Sequence, residues 1–193
     1  MLRSLIVAAT VLLVGACAEP PPSFHATDIT GADYGKTLAL DDHNGTPRTL
    51  ADFSGKVVTI FFGYTQCPDV CPTNLSTMSE VMRKLGPEAD KVQVLFVTVD
   101  PERDTAALLA QYVPVFDKRF LGLVGDPDAT AAVAKDFRVF YRKSGDTEGG
   151  NYTVDHSAGT YVFDPSGMLR LYVKHGETAD NISEDIGRLL AGR

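Results

Sequence analysis

The chain has 193 residues, of which 44% are hydrophobic and 22% charged, and it contains 17 glycines, 11 prolines and no tryptophan. This balance fits one globular domain of ordinary size and excludes a coiled coil, a collagen-like chain and a disordered acidic protein, which all need a stronger bias. The 18 Lys and Arg residues against 25 Asp and Glu give a formal net charge of −7. No basic stripe is visible in the sequence, so we expect no nucleic-acid partner.

The first segment, residues 1–16, has the pattern of a signal peptide. Arg3 supplies a positive start, and an apolar stretch of roughly 10–14 residues follows, which is too short to cross a bilayer as a helix. Small residues then lead into Cys17, a pattern that resembles the processing site of bacterial lipoproteins, where the cysteine is lipidated. An ordinary signal peptide cleaved near Ala16 or Ala18 is the alternative.

A tether is predicted over residues 17–27, because three consecutive prolines favour a stiff, extended chain. Residues 28–193 are predicted to form the folded domain. The lipoprotein interpretation predicts a location in a bacterial cell envelope. There the lipid would hold the domain on a membrane, facing the periplasm or the outer side of the cytoplasmic membrane.

Hydrophobic periodicity and turn signals predict the secondary structure of this domain. In chain order the predicted elements are a β-hairpin (36–40 and 48–50) around Asn44-Gly45, a buried strand (56–62), a helix (75–85) ending at Gly86-Pro87, a buried strand (92–99), a helix (105–113), a short strand (120–124), a helix (129–137), a short strand (139–141) with a polar loop at 144–150, a β-hairpin (161–163 and 169–173) and a C-terminal helix (182–190). This order predicts an α/β fold with a mixed central sheet flanked by helices.

The segment after the strand at 56–62 carries two cysteines, Cys67 and Cys71, each followed by a proline. Because a residue before proline is disfavoured in a helix, we expect both cysteines to be non-helical and Pro72 to be the first helical residue. The N–H groups and the dipole of the helix would then lower the pKa of both thiols below the usual ~8.5. Two thiolates at this spacing can form a disulfide or bind one soft metal ion. A purely structural disulfide is disfavoured, because so small a ring restrains little of the unfolded chain.

Three separated motifs resemble the Sco/SenC family of copper proteins. They are Phe62-Gly63-Tyr64-Thr65 with Cys67-Pro68-Asp69-Val70-Cys71-Pro72, then Asp100-Pro101-Glu102-Arg103-Asp104-Thr105, then Asp155-His156-Ser157. The resemblance covers the whole predicted domain and implies a thioredoxin-like fold and a role in assembling cytochrome c oxidase. It also implies three copper ligands, which are Cys67, Cys71 and His156.

The chemistry of these three side chains agrees with copper. Two thiolates and one imidazole suit Cu(I), and we expect one ion per chain. The same ligands could hold zinc, but structural zinc usually takes four protein ligands, and the domain has no further cysteine. Without the resemblance, His156 would be marked only by its position before the bend at 157–159. Asp69 and Asp155 could tune the site but are not expected to be ligands.

The motif at residues 100–105 has two interpretations. Capping of the next helix by Asp104 or Thr105 is sufficient to explain it. A supporting or partner-facing role is the alternative, and the resemblance does not decide between them.

We expect a membrane-anchored copper metallochaperone, and not an enzyme, that delivers copper to cytochrome c oxidase or prepares its copper centre. The expected partners are the copper-bearing subunit of that oxidase, the membrane and other copper carriers. The alternative is a thiol–disulfide oxidoreductase acting on cysteines of a copper-site target, since the thioredoxin fold hosts both activities. The C-x3-C spacing, Gln66 before the first cysteine, and Ser157-Ala158 where reductases carry a cis-proline all favour the chaperone.

Overall fold

The computed structural model describes residues 23–148 and 150–193, so the predicted signal peptide and Cys17 lie outside the described residues. The strands are β1 (Thr27–Asp28), β2 (Leu40–Asp42), β3 (Pro47–Arg48), β4 (Val57–Gly63), β5 (Val92–Thr98), β6 (Leu121–Val124), β7 (Tyr141–Asp146), β8 (Asn151–His156), β9 (Thr160–Phe163) and β10 (Leu169–Val173). The helices are α1 (Val70–Leu85), α2 (Ala106–Tyr112), α3 (Pro127–Asp136) and α4 (Ala179–Leu190). Short 3₁₀ turns follow β3, α1 and α2. The predicted helices and the two predicted hairpins, β2–β3 and β9–β10, are confirmed.

Strands β4 and β5 form the centre of the main sheet, and every residue in both is buried. Their β-branched and aromatic side chains are typical of strands covered on both faces. The strand order is β1-β10-β9-β4-β5-β6-β2-β3. Neighbours β4, β5 and β6 run parallel, whereas β9 runs antiparallel to β4, so the predicted mixed sheet is confirmed. The chain leaves the end of β4 through a short loop and enters α1.

A second, two-stranded sheet made of β7 and β8 corrects the sequence analysis. The segment 144–150 was predicted to be a polar loop, but residues up to Asp146 continue β7, and β8 begins at Asn151. The prediction was wrong because glycines and charges conceal the period-two pattern. On β8, Tyr152 and Val154 are buried, while Asn151, Thr153 and Asp155, which alternate with them, are exposed. The histidine of the predicted ligand set, His156, ends this hairpin.

The described end of the predicted tether packs on helix α4. The carboxylate of Asp185, 2% exposed, accepts hydrogen bonds from the backbone N–H groups of His25 (3.0 Å) and Ala26 (2.8 Å). The next residues form β1, which pairs with β10 at the sheet edge. The chain is therefore fixed to the domain several residues before the predicted boundary at residue 28. No helix in the described part of the chain is long and apolar enough to span a membrane.

Candidate metal centre

The cysteine loop joins β4 to α1 and carries both thiols. The helix begins at Val70, so Cys71 is its second residue and Pro72 its third. The prediction that Cys71 is non-helical and that Pro72 opens the helix was therefore wrong. Proline fits anywhere in the first turn, because the N–H groups there have no helical acceptor to lose. This preference outweighs the bias that proline places on the residue before it.

Three donor atoms converge where this loop meets the end of the β7–β8 hairpin. Cys71 Sγ lies 3.4 Å from His156 Nε2, although the two residues are 85 positions apart. The backbone N–H of Cys71 donates to Cys67 Sγ at 3.4 Å. The ligand atoms of Cys67, Cys71 and His156 all lie within 4.8 Å of one another. Within residues 23–148 and 150–193, no other group of three or more His, Cys, Asp or Glu side chains has this geometry.

The two cysteines differ in exposure and are both free thiols. Cys71 is 0% exposed, whereas Cys67 is partly exposed. Burial raises the pKa of the Cys71 thiol far above its ordinary value, although a hydrogen bond with the backbone of Tyr64 acts in the opposite direction. The predicted lowering of the pKa is therefore wrong for Cys71, because desolvation outweighs the helix N-terminus. The backbone N–H of Cys71, in the first turn of that helix, donates its hydrogen bond to the sulfur of Cys67.

His156 is held in the form that binds metals. Burial lowers its pKa, so the imidazole is neutral at pH 7. Its Nδ1 lies 3.0 Å from the carbonyl oxygen of Ser157, which can only accept, so Nδ1 carries the proton and Nε2 offers its lone pair toward Cys71. The rings of Phe61 and Tyr64 each lie 5.9 Å from the imidazole, at steep angles. A backbone bond on the second nitrogen is the usual way in which proteins orient a histidine ligand.

The motif at residues 100–105 supports the cysteine loop as well as capping a helix. Thr105 caps α2 by accepting the N–H of Leu108 at 3.2 Å, as the capping interpretation predicts. Asp104 is completely buried and accepts hydrogen bonds from the N–H of Thr65 (2.9 Å), the Thr65 hydroxyl (2.5 Å) and the Thr98 hydroxyl (2.7 Å). Burial raises the pKa of Asp104. Its carboxylate thus fixes the loop two residues before Cys67, a role that no local pattern in the sequence indicates.

The other two acidic residues singled out from the sequence lie beside the centre and outside the ligand cluster. Asp69 accepts a hydrogen bond from the Thr73 hydroxyl at 3.3 Å at the start of α1. Asp155 faces Arg142 across the β7–β8 hairpin at 3.6 Å. Neither carboxylate belongs to the group of converging donor atoms.

Gly63, the last residue of β4, leaves room for the sulfur of Cys71. A Cβ at this position would lie 2.7 Å from Cys71 Sγ and 2.9 Å from ring carbons of Phe61 and Phe96. We expect Gly63→Ala to lower the free energy of unfolding of the reduced protein by about 1–3 kcal/mol, because the added methyl overpacks the core. Urea denaturation measures the change.

Gly187 provides the matched control for this substitution. It lies within α4, and a methyl group added there would meet no atom within 4 Å outside its own helical turn, so Gly187→Ala should be neutral or stabilising. If Gly63→Ala is no more destabilising than Gly187→Ala, the close approach of Gly63 to Cys71 is not what requires glycine there.

Comparison with known proteins identifies the family. The SCO1/SenC family model matches residues 26–191. The mitochondrial SCO2 homolog of Mus musculus is 43% identical over 156 residues, which cover 80% of this chain and 61% of that protein. The structure of Bradyrhizobium japonicum ScoI with copper bound has a TM-score of 0.75 and 42% identity, covering 81% of this chain and 99% of that chain. The solution structure of apo Sco1 from Thermus thermophilus has a TM-score of 0.78 and 40% identity, covering 87% of this chain and 98% of that chain.

The fold is thioredoxin-like and brings two cysteines and one histidine together at the end of β4, and the predicted fold class is confirmed. The chain belongs to the SCO1/SenC family, so the resemblance seen in the sequence is confirmed. It spans about three fifths of the length of the mammalian SCO2 relatives that it matches.

Proposed function

We propose that this protein is a copper metallochaperone whose domain, residues 28–193, binds one Cu(I) through Cys67, Cys71 and His156. The observation that carries the proposal is the convergence of two sulfurs and one imidazole nitrogen within 4.8 Å of one another. The copper bound in B. japonicum ScoI, which is 42% identical to this chain, supports the choice of metal.

The donor set favours Cu(I) over zinc. Thiolates are soft ligands and select Cu(I), which accepts low coordination numbers. A structural zinc site usually has four protein ligands, and no fourth His, Cys, Asp or Glu joins this cluster among the described residues.

A copper titration tests the metal assignment. In Cys17→Ser protein, whose remaining thiols are Cys67 and Cys71, we expect the reduced chain to bind one Cu(I) against a chromophoric competitor under anaerobic conditions. Zinc should not displace the bound Cu(I). A stoichiometry other than one, or displacement by equimolar zinc, would contradict the proposed site.

The proposed partner is the copper-bearing subunit of cytochrome c oxidase, with other copper carriers as the source of the metal. This assignment rests on membership of the SCO1/SenC family. The protein would act at the membrane, held by lipid on Cys17 at the end of the tether and facing the periplasm or the outer side of the cytoplasmic membrane.

Lipidation of Cys17 has a direct test. Intact-mass analysis of the native membrane fraction should show a mature chain that begins at Cys17 and carries two or more acyl chains, since one chain alone binds membranes only marginally. A mature chain that begins after Cys17, or an unmodified Cys17, rules the anchor out.

A second candidate function, thiol–disulfide exchange, is supported by the unequal exposure of the cysteines. Cys67 is partly exposed and accepts an N–H bond at its sulfur, as a nucleophilic thiol does, while the buried Cys71 lies next to it. Such a pair can attack a target disulfide through Cys67 and release the target by closing the internal disulfide, which gives the target two electrons and two protons.

A further inference from the structure

We propose that Arg103 is a positioning residue that holds the loop carrying Cys67 and the hairpin carrying His156 in a single geometry for copper. The inference deepens the proposed function and rests on it. It assigns a supporting role to the motif at residues 100–105, whose purpose the sequence leaves open.

The buried carboxylate of Asp100 holds the side chain of Arg103. Its Nε donates to Asp100 Oδ2, and the Asp100 side chain is 0% exposed while that of Arg103 is 14% exposed. The second oxygen of Asp100 accepts a hydrogen bond from the Tyr152 hydroxyl at 2.8 Å. One carboxylate therefore orients both the guanidinium and a residue of β8.

The guanidinium holds the β7–β8 hairpin directly. Its Nη1 donates to the carbonyl oxygen of Tyr152 at 2.9 Å, and its central carbon lies 3.6 Å from the centroid of the Tyr152 ring. Tyr152 precedes His156 by four residues on the same strand. Because β7 and β8 form a sheet of their own, contacts of this kind help to hold the hairpin that carries His156 against the domain.

The same guanidinium also contacts the cysteine loop. Nη1 donates to the side-chain oxygen of Gln66, the residue before Cys67, at 3.1 Å. The central carbon lies 5.8 Å from the ring of Tyr64, and that ring meets the imidazole of His156 at 5.9 Å. A single planar cation thus contacts the residue before one sulfur ligand, a ring that packs on the nitrogen ligand, and a residue of the strand that carries the nitrogen ligand.

The geometry requires arginine and not merely a positive charge. Stacking on Tyr152 while donating to Asp100, Gln66 and the Tyr152 carbonyl uses the planar, multidentate shape of guanidinium, which lysine lacks. The Nη2 atom is buried and has no hydrogen-bond partner within the described structure. That unsatisfied group costs stability, which is unexpected if the side chain served stability alone.

Amide hydrogen exchange on the reduced, copper-free chain tests the positioning role without copper. We expect Arg103→Lys to accelerate exchange about tenfold, the equivalent of one hydrogen bond, at residues 65–67 and 152–156, with β4 and β5 unchanged. Arg83→Lys, on α1, where the arginine side chain is 73% exposed and pairs, among the described residues, only with Glu80, is the matched control and should change neither segment. No acceleration in either segment, or equal acceleration in β4 and β5, overturns the proposal.

A second variant keeps the test decisive if Arg103→Lys does not fold. Gln66→Ala, at an exposed position, removes the acceptor through which Arg103 Nη1 holds the cysteine loop, so exchange should accelerate at residues 65–67 alone. Unchanged exchange at residues 65–67, or acceleration throughout the domain, would then overturn the proposal.

Copper affinity supplies the readout that a merely structural role would not produce. Arg103→Lys should weaken Cu(I) binding about tenfold in the wild-type background and by less in the His156→Ala background, where there is no imidazole left to position. An equal loss in both backgrounds overturns the link to His156. If wild-type protein binds no Cu(I), the copper function fails, while the exchange experiment still decides the role of Arg103.

Discussion

Replacing Cys67 or Cys71 by alanine is expected to lower the Cu(I) affinity of the reduced protein by a factor of at least about 100. Structural zinc sites bind with about 10–16 kcal/mol shared among four ligands, so one strong ligand contributes roughly 3 kcal/mol, or about two powers of ten. His156→Ala should weaken binding less than either cysteine change, because two thiolates remain. Competition with a chromophoric Cu(I) ligand measures all three variants.

The control for this series is a histidine outside the cluster. His175 is exposed and does not belong to the group of converging donors, so His175→Ala should leave the Cu(I) affinity unchanged. Each variant is first checked by urea denaturation, since Cys71 lies in the core and its loss could unfold the domain. A double cysteine variant that is folded and binds Cu(I) as tightly as wild type would refute the assignment of the ligands.

Oxidation of Cys67 and Cys71 to a disulfide is expected to abolish Cu(I) binding. The loss of affinity should be larger than in either alanine variant. The two sulfurs lie within 4.8 Å of each other, so they must approach to about 2 Å to form a disulfide, and a disulfide offers no thiolate to a metal. Loss of both thiolates should weaken Cu(I) binding by about four powers of ten, twice the free energy expected for one. Titration of the oxidised and the reduced protein measures the difference.

Bound Cu(I) should in turn protect the pair, because linkage makes the disulfide less favourable when the thiolates hold copper. At a free Cu(I) concentration about 100 times the dissociation constant, only about 1% of the chains are copper-free and able to oxidise, so formation of the disulfide should slow about 100-fold. Thiol trapping followed by mass spectrometry gives the time course with and without copper. Oxidation at the same rate in both samples would show that copper does not bind through these cysteines.

The same three residues separate the two candidate functions in cells. In a deletion strain, copper transfer to cytochrome c oxidase requires Cys67, Cys71 and His156, whereas thiol–disulfide exchange requires only the cysteines. Complementation at low copper with Cys67→Ser, Cys71→Ser or His156→Ala therefore decides between them. Normal oxidase activity in the His156→Ala strain, with failure of both cysteine strains, would favour the exchange reaction.

The strands and helices that enclose the site could be predicted because their signals are local. The unbroken apolar runs of β4 and β5 and the helical spacing of apolar residues in α1 can be recognised without any tertiary information. The proximity of Cys67 and Cys71 follows in the same way from a four-residue spacing at a strand-to-helix corner. The hairpin β7–β8 was missed because its glycines and charges resemble those of a loop.

The features that depend on distant contacts could not be read from the sequence pattern. His156 approaches Cys71 from 85 residues away, and only the family resemblance singled it out. Asp104 bonds to Thr65, and Arg103 contacts both the cysteine loop and the β7–β8 hairpin. Both sets of contacts depend on where β5 ends relative to the cysteine loop. The pKa of Cys71 was predicted in the wrong direction because helix position is visible in a sequence, whereas complete burial of a helix N-terminal residue is not.

Because the two sulfurs differ in exposure, the centre has a solvent-facing side at Cys67 and a buried side at Cys71. An incoming ligand, whether a cysteine of a partner protein or a small cellular thiol, meets Cys67 first, because Cys71 is covered on all sides by the core. Copper exchange would then follow a fixed order, in which the bond to Cys67 is substituted first and the bond to Cys71 breaks last. If the proposed function holds, such an order would let the metal pass from one protein to the next through a shared intermediate, without a free ion in solution.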